Sequence, residues 1–137
     1  MGAVHASAYA GMPDVEVVGV FARTLDRARR VATICKAQPV DDARALIERA
    51  DIDAIDVCLP SALHGEVVVS ALNHGKHVFC ETPMALEMTK AQEMRAAARK
   101  AKRLLQVGLL MRSVSAYEHV KAATMSGEHG RLIKLST

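Results

Sequence analysis

The stretch Lys76–Leu86, KHVFCETPMAL, decides how the rest of the chain is interpreted. Its apolar run His77–Cys80 stands between a lysine and the polar turn Glu81–Pro83, a pattern typical of a short strand buried on both faces. Pro83 disfavours helical backbone angles at Thr82, so the chain is expected to leave the strand there and turn. Open α/β sheets bind ligands at the carboxyl ends of parallel strands, and we therefore expect this turn to lie at a binding site.

Strand-like and helix-like segments alternate along the whole sequence. The predicted strands are Val15–Ala22, Ala54–Leu59, Lys76–Cys80, Leu104–Leu109 and Arg131–Ser136. Apolar residues at helical spacing predict helices over Met1–Gly11, Leu25–Cys35, Asp42–Arg49, Ala62–Asn73, Thr89–Lys102 and Ala116–Met125. Such alternation is typical of βαβ units, so we predict an α/β fold with a doubly wound parallel sheet and helices on both faces.

Short polar motifs predict where several helices begin and end. Thr24 is expected to cap the second helix, and Asp41 the third. Thr89 and Gln92 have the spacing of a capping box for the helix that ends near Lys102. Gly75 follows a helix at the position of a C-cap glycine.

The composition excludes several classes of protein. The net charge of +3 and the pI of about 8.9 are only mildly basic. The densest cationic cluster, Arg99–Arg103, lies at the end of a predicted helix, where cations complement the helix dipole, so we predict no nucleic-acid partner. The sequence has neither an apolar stretch of about 20 residues nor a signal pattern at its start, and we expect no membrane partner.

The three cysteines are Cys35, Cys58 and Cys80. They form no CxxC motif and have no matched histidine spacing, so no metal site is predicted. Each lies within an apolar run and is interpreted as a small core residue. Free cysteines of this kind suit a reducing compartment, and we expect a cytoplasmic protein.

The beginning of the chain departs from the usual doubly wound nucleotide fold. Such a fold normally starts with a strand and a glycine-rich turn whose backbone N–H groups face a pyrophosphate. Here Met1 and Gly2 lead directly into a helical pattern. We therefore expect the first strand to be missing and the neighbouring strands, Val15–Ala22 and Ala54–Leu59, to lack a partner along one edge.

Several stretches resemble the motifs of one oxidoreductase family, Gfo/Idh/MocA. Gly2–Ala6 is similar to the end of the family's first turn, with Gly2 as the third glycine of GxGxxG. Leu59–His64 resembles its TPNxxH turn, and Gly75–Leu86 resembles its GKHVxCEKPxAL signature. Further matches to the tail of its dinucleotide domain are Val107-Gly108, Arg112, Tyr117 and Ser126–Gly130.

This resemblance implies a Rossmann-like domain that binds NAD or NADP, followed in complete members by an α+β domain that binds a sugar, polyol or related substrate. Residues 1–130 are then an incomplete dinucleotide-binding domain, and residues 131–137 begin the missing substrate domain. The implied function is the NAD(P)-binding part of an oxidoreductase that acts on a CH–OH group, and homo-oligomerisation of the full-length protein is a further expectation. The implied cofactor-binding residues are Gly2, Arg23, Thr24, Leu59, Pro60, Ser61, His64, Glu81, Thr82 and Pro83.

The chain departs from the family pattern at three positions. Thr82 stands where the family has the lysine of EKP, Ser61 replaces an asparagine, and Leu110 stands where a cofactor-contacting asparagine is common. We therefore assign no catalytic residue and expect the 137-residue chain to bind nucleotide poorly and to be inactive alone. The alternative function is a non-catalytic Rossmann-like binding or interaction module.

The end of the second strand of the implied fold bears on the choice of cofactor. An acidic residue there would bind the ribose 2′-hydroxyl of NAD, whereas this chain has Ala22 followed by Arg23. A guanidinium beside a neutral residue suits a 2′-phosphate, which favours NADP, with NAD as the other possibility. The alternative is that Arg23 is a solvent-facing loop residue and Thr24 only a helix cap.

Three polar residues near the strand ends have competing interpretations. Glu81 either faces the nicotinamide-ribose end of the cleft or caps a neighbouring backbone N–H group. His64 begins a helix beside a strand-end turn, where a polar role near the cofactor is expected. His5 lies in the first helix, where a packing or capping role is expected instead.

Overall fold

The computed structural model describes residues 1–131 of the chain. The chain folds into two compact units, Met1–Val107 and a C-terminal unit that begins at Gly108. The predicted strand Arg131–Ser136 and the predicted domain start at residue 131 fall outside the described residues, apart from Arg131 itself. Both stay predictions.

Helices and strands alternate along the first unit, in the order α1 (Gly2–Ala10), β1 (Gly19–Phe21), α2 (Leu25–Cys35), β2 (Gln38–Val40), α3 (Ala43–Ile47), β3 (Ala54–Val57), α4 (His64–Asn73), β4 (His77–Cys80), α5 (Met88–Ala101) and β5 (Leu105–Val107). A 3₁₀ turn over Ser61–Leu63 leads into α4. The second unit contains a 3₁₀ turn over Leu110–Ser113 and helix α6 (Ser115–Ser126). This alternation confirms the predicted α/β class.

Every strand pairing in the described part of the chain is parallel. β4 lies between β3 and β5, and Val57 is opposite Cys80 in the β3–β4 register. β1 pairs with β2 in a separate two-stranded sheet. Within residues 1–131, β1 and β3 therefore do not pair, as expected for strands that are not neighbours in a doubly wound sheet.

The hydrophobic core lies between the three-stranded sheet and the helices that follow its strands. Its buried residues are Ile47, Val57, Val68, Ala71, Leu72, Val78, Cys80, Met94 and Ala98. Aliphatic side chains and alanines fill this layer, as the scarcity of aromatic residues requires. The core holds the carboxyl ends of β3 and β4 in fixed register.

Three strands are shorter than predicted. Val15–Ala22 forms a strand only over Gly19–Phe21, because its partner β2 is itself three residues long. Ala54–Leu59 ends as a strand at Val57, and Leu104–Leu109 is reduced to Leu105–Val107. In each case the apolar run extends beyond the paired residues, so hydrophobicity alone overestimates strand length. β4 starts at His77, one residue after the predicted Lys76.

Two of the predicted helix caps are wrong. Asp42, not Asp41, caps α3, and its side chain accepts a 2.9 Å hydrogen bond from the backbone N–H of Arg44. α5 begins at Met88 with Glu87 as its N-cap, so Thr89 and Gln92 form no capping box. Thr24 occupies the N-cap position of α2 as predicted, although its side chain makes no capping hydrogen bond.

The structure confirms the predicted role of Gly75 at the end of α4. Gly75 has φ of +77°, its N–H group donates to Leu72, and the N–H group of Lys76 donates to Ala71. These two bonds form a Schellman motif, which needs a left-handed residue at this position. The buried ammonium group of Lys76 then donates to the carbonyls of Arg49 and Ile52 and ties the start of β4 to the loop before β3.

Candidate functional site

The carboxyl ends of β3 and β4 bring two predicted site segments together. Because the strands are parallel and in register, the turn Leu59–Ser61 after β3 and the turn Glu81–Pro83 after β4 lie at the same edge of the sheet. The N–H group of Glu81 donates to the carbonyl of Val57 at 3.0 Å and extends the pairing into the second turn. The Thr82–Pro83 peptide bond is cis.

The start of α1 lies against the same edge. A Cβ atom built on Gly2 would be 3.8 Å from Cβ of Cys58, which is ordinary van der Waals contact. The first helical bonds of α1 run from the N–H groups of Val4 and His5 to the carbonyl of Met1. The N–H groups of Gly2 and Ala3 precede these bonds and point away from the helix, as at any helix N-terminus. Gly2 therefore lies beside the end of β3.

The buried side chain of His64 contacts both turns. Its imidazole is almost completely buried, at 1% exposure. Nε2 is 2.7 Å from the carbonyl oxygen of Leu59, and Nδ1 is 3.0 Å from the carbonyl oxygen of Pro83. Sγ of Cys80 is 3.4 Å from Nδ1. Both ring nitrogens contact the protein's own backbone, so the polar role of His64 in this structure is to position the turns.

Glu81 makes the backbone contact that was one of its two predicted roles. Its Oε2 accepts a 2.8 Å hydrogen bond from the backbone N–H of Thr82. Its Oε1 lies 3.1 Å from Nε2 of His5, a contact that no sequence pattern predicts. Both carboxylate oxygens are therefore engaged, whereas Thr82 and Pro83 are exposed at the tip of the turn.

His5 links α1 to the sheet, and the prediction that it packs or caps misses this role. Its Nδ1 lies 2.7 Å from Oδ2 of Asp56 and 3.2 Å from Sγ of Cys58. Its ring also makes edge-on contacts with Tyr9 and Phe79. Asp56 and Cys58 alternate with buried residues of β3 and point to the same side of the sheet. Among the described residues, no lysine or arginine forms a salt bridge with Asp56 or Glu81.

Burial and the carboxylates of Asp56 and Glu81 raise the pKa values of neighbouring groups. Burial, followed by the Asp56 carboxylate, raises the pKa of the Cys58 thiol to about 12. Burial, followed by Glu81 and Asp56, raises the pKa of Cys80 to about 11. Burial and Asp56 also raise the pKa of Tyr9 well above its ordinary value. Each of these groups is therefore protonated at neutral pH.

Arg23 and Thr24 follow the carboxyl end of β1, on the two-stranded sheet. Both are exposed, and Thr24 is the N-cap residue of α2. Arg23 forms no salt bridge within the described part of the chain. Its guanidinium is accessible to an anion, which is consistent with either of the two predicted roles.

The sequence matches the oxidoreductase family with an NAD-binding Rossmann fold over residues 1–109. It is 40% identical to a dTDP-3,4-didehydro-2,6-dideoxy-alpha-D-glucose 3-reductase of Actinomadura kijaniata, over 68% of this chain and 28% of that relative. It is 32% identical to an inositol 2-dehydrogenase of Salmonella typhimurium, over 90% of this chain and 40% of that relative. The chain thus spans well under half the length of these relatives.

Solved structures show the same fold. The chain superposes on a 3-ketoreductase from Actinomadura kijaniata in complex with NADP, with a TM-score of 0.83, 33% identity, and coverage of 91% of this chain and 40% of that one. None of the helices in residues 1–131 is long and apolar enough to cross a membrane. The match over residues 1–109, together with the parallel strands and their strand-end turns, shows that the chain belongs to the Gfo/Idh/MocA family of oxidoreductases.

Proposed function

We propose that the chain is the NAD(P)-binding part of an oxidoreductase that acts on the CH–OH group of a sugar, polyol or related substrate. One observation carries the proposal: the start of α1 and the turns after β3 and β4 converge at the carboxyl edge of the sheet. This is where doubly wound folds bind dinucleotides. The relatives named as reductases or dehydrogenases of sugars and inositol support the substrate class.

The residues at this edge suit a dinucleotide. The N–H groups of Gly2 and Ala3 begin α1, where a helix terminus attracts a pyrophosphate. Leu59–Ser61 and Glu81–Pro83 provide the two turns for the nicotinamide half, and His64 positions them. The bound cofactor supplies hydride chemistry, and the protein supplies binding and orientation.

We further propose NADP as the preferred cofactor, with NAD as the alternative. Ala22 places no carboxylate near a 2′-phosphate, and the exposed Arg23 offers a guanidinium for it. Thr24, at the N-cap of α2, is placed to contact the same group. The 3-ketoreductase solved with NADP supports this choice.

No residue of the chain is proposed as catalytic. Thr82 occupies the position of the family's lysine, and Glu81 already contacts both His5 and the backbone of Thr82. These features favour a second candidate, a Rossmann-like module that binds a partner without catalysis.

We also propose a cytoplasmic location, which the three free cysteines support because thiols stay reduced there. We propose as well that the full-length protein is a homo-oligomer.

A fluorescence titration tests both the function and the cofactor. The chain contains no tryptophan, so NADPH or NADH at a fixed micromolar concentration can be titrated with protein up to high concentration. We expect tighter binding of NADPH, and a loss of about tenfold for NADPH alone in Arg23→Ala, since a charge-assisted contact is worth about 1.5 kcal/mol or more. Arg27→Ala, an exposed arginine of α2, is the matched control and should bind like the original chain.

Two results would count against the proposal. Equal affinities for the two nucleotides, unchanged in Arg23→Ala, would remove the argument for NADP. A folded chain that binds neither nucleotide even at protein concentrations well above about a millimolar would favour the non-catalytic module.

A further inference from the structure

We propose that His5, Asp56 and Cys58 form a binding site for a divalent transition-metal ion of the Zn²⁺ class. One side chain comes from α1, and the other two come from β3 and the residue that follows it. They supply a nitrogen, a carboxylate oxygen and a sulfur, the three ligand types that zinc uses in proteins. The ligand atoms all lie within 4.8 Å of one another.

The three ligand atoms need to move little to bind an ion with tetrahedral coordination. Metal–ligand bonds of about 2.0–2.3 Å place tetrahedral ligand atoms about 3.3–3.8 Å apart. Sγ of Cys58 is 3.2 Å from Nδ1 of His5 and 3.5 Å from Oδ1 of Asp56. Nδ1 is 2.7 Å from Oδ2 of Asp56, so this carboxylate has to move outward by about half an ångström.

Glu81 supplies the orienting contact that histidine ligands usually have. Its Oε1 accepts from the Nε2 side of the His5 ring at 3.1 Å. In the metal-free chain a proton lies between Nδ1 and Oδ2 of Asp56, and it leaves when the ion binds. Glu81 then keeps the remaining ring proton on Nε2, so the lone pair is at Nδ1, which faces both Asp56 and Cys58. Such outer contacts are typical of metal-binding histidines. Glu81 is thus a positioning residue rather than a ligand.

The charges also favour a dication. In the described part of the chain, Asp56 and Glu81 have only the His5 ring as a salt-bridge partner. Binding forms bonds from the metal to sulfur, nitrogen and oxygen, and two protons pass to solvent: the thiol proton of Cys58 and the proton between Nδ1 of His5 and Asp56. In the bound state, Nδ1 of His5 carries no proton. A neutral imidazole, a carboxylate and a thiolate then balance the charge of the ion.

Cobalt spectroscopy tests the site because a thiolate ligand gives Co²⁺ a charge-transfer band in the near ultraviolet. The 137-residue chain is stripped with a chelator and titrated with CoCl₂. We expect this band to saturate at one equivalent and to disappear when ZnCl₂ is added. Cys58→Ser should lose the band, whereas Cys35→Ser, on α2 and away from the cluster, should keep it.

Two further variants separate the roles of the neighbours. His5→Gln should weaken Co²⁺ binding at least tenfold, and Glu81→Gln should weaken it about 10–100-fold while the charge-transfer band keeps its position. Circular dichroism in chelator shows which variants are folded, and Cys58→Ala replaces Cys58→Ser if the latter is not. Absence of the band in the original chain, or its persistence in a folded Cys58 variant, would overturn the proposal and leave a network held by protons alone.

Discussion

Nδ1 of His64 lies 3.0 Å from the carbonyl oxygen of Pro83, on the far side of the ring from its 2.7 Å contact with Leu59. A single buried side chain therefore connects the turn after β3 to the turn after β4. Because these turns carry most of the predicted cofactor contacts, their relative position depends on this ring. His64 determines the shape of the site without needing to touch a ligand.

Replacing His64 should destabilise the chain. His64→Ala leaves a cavity and removes the ring's contacts with the carbonyl groups of Leu59 and Pro83, so we expect a loss of about 2–4 kcal/mol in the free energy of unfolding. His64→Phe fills the volume without the hydrogen bonds and should recover part of that loss. Urea denaturation measures both, with the exposed His119→Ala as control. A change below about 0.5 kcal/mol in His64→Ala would show that the ring does not hold the turns.

The start of α3 offers a test with a built-in control. Asp42 accepts a hydrogen bond from the N–H group of Arg44, whereas its neighbour Asp41 does not cap the helix. We expect Asp42→Ala to lower the free energy of unfolding by about 1 kcal/mol, and Asp41→Ala to change it little. Denaturant titration of the two variants side by side decides the matter. The opposite ranking would place the cap one residue earlier.

Comparison of these elements shows which features a sequence can reveal. The sequence predicts the strand Lys76–Cys80 to within one residue, and it predicts the turn at Pro83 and the C-cap at Gly75, because local residues determine them: an apolar run, a proline and a glycine after a helix. The cap of α3 was misplaced by one residue because Asp41 and Asp42 are chemically identical candidates. Only backbone geometry distinguishes them.

The contacts of His5 could not be predicted in the same way. His5 meets Asp56, Cys58 and Glu81 across 51, 53 and 76 residues of chain. No spacing rule links positions so far apart, and it is the packing of α1 on the carboxyl ends of β3 and β4 that brings them together. Motif spacing such as CxxC carries no information about side chains that are brought together in this way.

The raised thiol pKa of Cys58 has a consequence for stability in alkali. In the unfolded chain this thiol titrates near 9.0, whereas in the fold it keeps its proton up to about pH 12. Between these values the unfolded state binds fewer protons than the folded state, so the free energy of unfolding falls as the pH rises. In chelator, we expect Cys58→Ser to reduce this alkaline loss. Chemical denaturation at pH 8, 9, 10 and 11 measures it, and a slope in Cys58→Ser equal to that of the original chain would contradict the assignment.

The affinity of the 137-residue chain for NADPH is expected to be low. Within residues 1–131, α1 offers a pyrophosphate only the N–H groups of Gly2 and Ala3 ahead of its first helical bonds. Each phosphate hydrogen bond that is not made costs about 1.5–3 kcal/mol, so we predict a Kd of about a millimolar. Competition with a fluorescent nucleotide analogue gives the value. Micromolar binding by a monomeric, cooperatively melting chain would show that these few contacts suffice.

The central claim is that the carboxyl edge of the sheet is the nucleotide site, and mapping NADPH by amide chemical shifts tests it most directly. With isotope-labelled chain and NADPH raised to saturation, we predict the largest shifts at Ala3, Arg23, Ser61 and Thr82. The amides of the last turn of α5, which ends near Gly75 and the start of β4, should change little. Shifts confined to that turn, or no shifts at saturating NADPH, would contradict the account.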